Sequence, residues 1–117
     1  MRRALLFGPV IRNRRHELEL TMDAFCRKVV LRGKSISKGY LSGIENSKTA
    51  PPTDAIVLKF ARALDIPSER LLLLAHIDKL PAVLFESYPA LCALRDEASR
   101  SDGAKTPTQV SLVPTGT

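Results

Sequence analysis

Apolar residues recur at helical spacing in one segment of this chain after another. Phe7, Val10, Ile11 and Leu18 share one face and predict a first helix over about residues 7–18. Pro9 suits the first turn of that helix, where a missing N–H leaves no bond unmade. Met22, Phe25, Cys26 and Val29 fall at i, i+3, i+4 and i+7, the core stripe of a second helix over about 22–30. Thr21 can cap it, and Asp23 in its first turn complements the helix dipole. Gly33 then breaks the pattern, so 31–36 reads as a turn carrying the cations Arg32 and Lys34. Residues 37–48 predict a third, short helix, with Ser37 as N-cap and Leu41 and Ile44 as its buried stripe beside Tyr40. Lys38, Ser42, Asn46 and Lys48 remain for its outer face. Pro51 and Pro52 stop that helix, and Thr53 is placed to cap a fourth over 54–64, with Val57, Phe60, Ala61 and Leu64 inward. A fifth starts at Pro67 and runs to about His76, with Leu71, Leu72 and Ala75 as core. Residues 78–81 read as a turn, and Pro89 divides a last helical segment over 82–99. No strand pattern and no internal repeat is present.

The fold expected is all-α: a compact five-helix domain with a short C-terminal helical extension and a disordered tail. Residues 1–6 form a basic arm, 7–77 the domain and 78–99 the extension. Residues 100–117 are Ser, Thr, Gly and Pro-rich, with little to bury, and form the tail.

A length of 117 residues suits one domain plus a tail, and an aromatic content of 5% implies a core built mostly of Leu, Ile, Val and Ala. No apolar run is long enough to span a bilayer. The basic start is followed by Pro9, Arg12, Arg14 and Arg15 rather than a signal-peptide apolar core, so a cytoplasmic protein with no membrane attachment is expected. Cys26 and Cys92 are far apart and read as reduced structural thiols, and His16 and His76 are isolated. There is no paired-carboxylate constellation, Gly-rich phosphate loop or nucleophile elbow. Neither an enzyme nor a cofactor or metal site is indicated. The charge changes the picture more. The net value is +6, and residues 1–50 hold 11 Lys/Arg against 4 Asp/Glu, whereas the remainder holds 7 against 8. Such asymmetry suits a polyanionic partner. Arg12, Asn13, Arg14 and Arg15 crowd the outer faces of the first helix and read as solvated.

Two short helices joined by a Gly-containing turn make a helix-turn-helix candidate, although an ordinary amphipathic surface helix has the same pattern as residues 37–48. The order of features resembles the lambda-repressor-like helix-turn-helix domains, the Cro/cI type or XRE family. The resemblance is carried by Ile11-Arg12 and Arg15, by Leu20-Thr21, by Tyr40 to Asn46, by Pro52, by Leu58 to Ile66 and by Leu71, and covers about residues 7–74. Leu73 to Ala93 is also similar to a C-terminal extension of some members.

The resemblance implies a sequence-specific regulator of transcription, of the repressor kind, that occupies an operator in double-stranded DNA as a homodimer. Its recognition helix, about 37–46, would enter the major groove while the second helix crosses the backbone. Lys38, Gly39 and Gly43 fall where bases are usually read. Lys38 can donate to guanine, Gly39 and Gly43 have no side chain to read with, and Tyr40 and Ser42 are the remaining readers. Met22 offers a backbone N–H to phosphate, and Asn46 and Lys48 match phosphate contacts. Arg15 and Glu45 match an ion pair joining the first and third helices. Two departures stand out. The turn before Ser37 is longer than usual, and Glu19 stands where Gly is frequent. Arg32 and Lys34 in that longer turn are expected to add phosphate or groove contacts. A second reading is an antitoxin or adaptor whose C-terminal helices hold a protein partner, with DNA binding as autoregulation. Leu73, Leu74, Leu80, Val83, Leu84, Phe85, Leu91 and Leu94 either build a dimer surface or cap the core of one subunit.

Overall fold

The helices α1 (Phe7–Glu17), α2 (Met22–Lys28), α3 (Lys38–Glu45), α4 (Asp54–Leu64), α5 (Ser68–Asp78), α6 (Ala82–Ser87) and α7 (Ala90–Ala98) form at the apolar-periodic segments, and a small hairpin separates α2 from α3. The structure is a computed structural model that describes residues 5–100. Most of the expected arm and tail, residues 1–4 and 101–117, lies outside the described residues. At the centre, the ring of Phe60 meets Phe25 edge-on at 5.2 Å and Phe7 at 6.5 Å. Ile11, Leu41, Leu64, Leu71 and Leu74 close around them, all fully buried. Each such side chain contributes about 1.5–3 kcal/mol by leaving water. α4 lies on α5, α1 meets α3 and α4, and α7 packs back onto α5, which brings Ala98 into the same core.

The helix ends are closed in three ways. Thr21 Oγ1 accepts from the Ala24 N–H at 3.0 Å, and Ser37 Oγ accepts from the Tyr40 N–H at 3.0 Å. α1 has no side-chain cap of its own. Instead, Asp78 at the far end of α5 reaches across, and its Oδ2 accepts from the N–H groups of Leu6 and Phe7 at 2.9 and 2.7 Å. A buried carboxylate at a helix N-terminus satisfies orphan donors and favours the dipole. At the C-termini of α1, α3 and α4 the same turn recurs. Glu19, Ser47 and Asp65 adopt φ of 57°, 58° and 57°, and the next N–H returns to the carbonyl five residues back. A side chain in this left-handed region costs about 1–2 kcal/mol, a penalty glycine escapes.

Several expectations are corrected. The turn before Ser37 is a β-hairpin, β1 (Val30–Leu31) and β2 (Lys34–Ser35), with Val30 opposite Ser35 and Leu31 opposite Lys34. Arg32 and Gly33 both have positive φ, 54° and 81°, which is what a two-residue type I′ loop requires. α2 consequently stops at Lys28. Strands of two residues are too short for any alternation to show. The hairpin base is sealed by buried Val29 and Ile36, whose N–H donates to the Val29 carbonyl at 3.1 Å. Leu18 is exposed rather than core, because α1 ends at Glu17 and the turn swings it outward. On α5 the buried side chains are Leu71, Leu74 and Ala75, with Leu72 only half-buried. Leu74 and Phe85 are core, so neither belongs to an outer surface. Thr53 makes no capping bond through its side chain. Arg14 is not solvated: its Nε donates to the Leu64 carbonyl at 2.9 Å and closes α4. His76 is not isolated, since its Nε2 lies 2.8 Å from Asp54 Oδ1.

Candidate nucleic-acid interface

The position of α3 follows from one face of it. Leu41 and Ile44 sink into the core, and Glu45, also buried, faces α1. Arg15 meets it as a fork: Nε donates to Oε2 at 2.7 Å and Nη2 to Oε1 at 3.0 Å. The third arm, Nη1, donates to the Leu20 carbonyl at 2.9 Å. One guanidinium therefore ties α1, α3 and the entry to α2 in a single planar arrangement. The two helices come close enough for this because residue 8 is glycine. A Cβ there would collide with the Ile44 carbonyl oxygen and stand 2.9 Å from that of Glu45.

The opposite face of α3 points outward. Lys38, Gly39, Tyr40, Asn46 and Lys48 are exposed, and Ser42 and Gly43 are half-buried. Lys38 Nζ lies 3.5 Å from Asp23 Oδ1 at the start of α2, with both side chains about 60% exposed. An ion pair so wet is weak, so Lys38 can exchange it for another acceptor. Asn46 is folded back: its Nδ2 donates to the Ser42 carbonyl at 2.9 Å and to Ser42 Oγ at 3.2 Å, which closes the end of α3. Partial burial pushes the Tyr40 phenol up, so it is a neutral hydroxyl at physiological pH. Met22 is half-buried against the core, leaving the backbone at the start of α2 as its polar feature. Arg32 and Lys34 project from the hairpin, exposed and without an ion pair to any described residue.

The two glycines of α3 have no internal reason to be small. A Cβ at Gly39 would meet nothing within 4 Å, and one at Gly43 would only touch the Thr49 side chain at 3.7 Å. Each glycine costs the helix about 0.8–1 kcal/mol relative to alanine.

Sequence reasoning did not find the close approach at Gly8, the bond of Arg14 to the Leu64 carbonyl, the pairing of Asp23 with Lys38 or the capping role of Asp78. The signal for Gly8 was available, since a glycine inside an apolar helical run asks for a close approach. The two thiols differ. Burial, then the nearby Asp23 and Glu45 charges, pushes Cys26 up, which keeps it protonated and unreactive, whereas Cys92 is exposed on α7. Among the described residues no group of three or more His, Cys, Asp or Glu could hold a metal ion, and no helix is long and apolar enough to cross a membrane. No protein-family model matches the chain, and no curated protein and no solved structure shows significant similarity to it.

Proposed function

We propose that this chain is a sequence-specific double-stranded-DNA-binding regulator of the lambda-repressor-like helix-turn-helix type, acting in the cytoplasm by occupying an operator and doing no chemistry. The observation that carries this reading is the division of α3. Its inner face is sealed into the core and locked to α1 through the Arg15–Glu45 fork, while its capped outer face carries Lys38, Tyr40, Ser42 and Asn46 and no acidic side chain. A rigidly held helix with such a face suits the major groove, where Lys38 can donate to guanine O6 and N7. Gly39 and Gly43 let the α3 backbone approach the duplex closely, so DNA shape carries a large share of specificity. Backbone N–H groups at the start of α2 and the cations Lys48, Arg32 and Lys34 supply phosphate contacts, each cation steepening the log–log salt dependence by about 0.9. Binding as a homodimer places two copies of α3 about one helical turn apart.

The test is in vitro selection of random duplex DNA on the purified chain at near-physiological salt. An enriched palindrome with half-sites about one turn apart is the expected result. Only salt-sensitive binding without enrichment refutes it. A second reading, an antitoxin or adaptor with a protein partner, is favoured by a different observation. Leu73, Val83, Tyr88 and Leu94 on α5–α7 and the α6–α7 junction are exposed apolar residues. A stoichiometric partner retained through salt washes, and lost on making Val83 and Leu94 polar, supports that reading.

A further inference from the structure

A second cationic feature lies away from α3. The end of α2, strand β1 and the outer face of α4 enclose an open cleft of about 310 Å³, lined by Lys28, Val30, Lys59, Arg62 and Ala63. Three cations and no acid line it, and none of the three is ion-paired to a described residue. Lys59 and Arg62 are three apart and share one face of α4, and Lys28 comes from a separate element. Like charges lining one hollow repel, and no acidic side chain among its lining residues offsets that repulsion. Lys28 and Arg62 each stand in the last turn of a helix, where a cation complements the dipole. Lys59 stands mid-helix, so the dipole does not account for it, nor for three cations around one hollow. The volume is at the low end of small-ligand sites, and the exposed Val30 with Ala63 gives the hollow an apolar wall. The cleft is separate from the outer face of α3. Asp23, which touches Lys38, begins α2, whereas Lys28 ends it, about 8 Å further along the axis.

We propose that this cleft binds the oxygens of a phosphate group through Lys28, Lys59 and Arg62. Two sources present that chemistry: a phosphorylated small molecule, or the phosphodiester backbone of nucleic acid. The cations form charge-assisted hydrogen bonds to the anion, Arg62 through a planar fork and the lysines as point charges.

The experiment is a titration of the full chain with inorganic pyrophosphate, followed by backbone-amide NMR. Saturable shifts at Lys28, Val30, Lys59 and Arg62 are expected. The Lys59→Gln/Arg62→Gln variant should bind at least about tenfold more weakly, as the loss of two charge-assisted bonds implies. The substituted side chains are exposed, and an unchanged melting temperature confirms the fold; Lys28→Gln is the independent second variant. Shifts centred on α3, absence of saturation, or undiminished binding by both variants overturns the proposal. A second arm separates the sources. If the double variant also makes the salt dependence of duplex binding shallower, by about 1.8 in the log–log slope, the ligand is nucleic-acid backbone. If duplex binding is unchanged while pyrophosphate binding is lost, it is a phosphorylated small molecule. Lys38→Gln, which should weaken duplex binding and leave the pyrophosphate titration intact, lets the α3 reading and this one fail separately.

Discussion

The α1–α3 seam and the α6–α7 extension are built on different terms. In the seam, burial, close backbone approach and directed hydrogen bonds act on the same pair of helices. Ile11 and Leu41 are fully buried, Gly8 admits the carbonyls of α3, and Arg15 grips Glu45 by two bonds while holding the Leu20 carbonyl with a third arm. In the extension only Phe85 and Ala98 are buried, whereas Val83, Tyr88 and Leu94 are 58%, 62% and 39% exposed. The Arg95 guanidinium sits 5.3 Å from the Phe85 ring, a contact that asks for flatness and charge but little exact geometry. The seam aims a helix, and the extension adds burial.

The sharpest way to break the seam is Glu45→Ala, which leaves the Arg15 guanidinium buried without its counter-charge, with the Leu20 carbonyl still accepting from Nη1. The expected loss is about 3–5 kcal/mol in urea unfolding. Arg15→Met/Glu45→Leu should recover most of it, since neither charge then remains buried. Gly8→Ala comes next: pushing α1 off the α3 carbonyls should cost about 1–3 kcal/mol, and it should weaken DNA binding beyond what the lost stability explains. Gly39→Ala goes the other way. It should stabilise the chain by about 0.8 kcal/mol while reducing affinity for the selected duplex. A gain in melting temperature with unchanged affinity refutes the close backbone approach. On the extension side, Val83→Ser should move stability by no more than about 0.5 kcal/mol. The two thiols report both regions at once: a thiol reagent should label Cys92 in the native chain and Cys26 only after unfolding.

Much of this architecture is legible in the amino-acid order. The stripes of α1, α2, α4 and α5 are regular, Thr21 and Ser37 cap the helices they precede, and Pro89 separates α6 from α7. The misses have physical causes. The hairpin escapes because two-residue strands cannot alternate and its loop is Arg-Gly rather than the commoner Asn-Gly. Asp78 escapes because its partners are 71 and 72 residues away, and a helix that lacks a local cap gives no hint of where the remote one lies. For the candidate interface, the residue types on α3 are readable, but not that Asp23 shadows Lys38 or that the amide of Asn46 is turned back on its own helix. Those facts depend on rotamers and on how α2 leans against α3.

The hairpin between α2 and α3 has a consequence for how such a chain can vary. Its base is fixed by the bond between Ile36 and Val29, and the chain enters α3 directly from that base. Length added above the base therefore leaves the aim of α3 untouched. One further residue in each strand lifts the tip by about 3.4 Å and turns the tip side chains to the other face; two in each strand restore the face about 7 Å higher. Insertion in matched pairs above the Leu31–Lys34 pair thus gives an arm of adjustable reach, carrying Arg32 outward in fixed steps while Leu31 keeps its packing against the core.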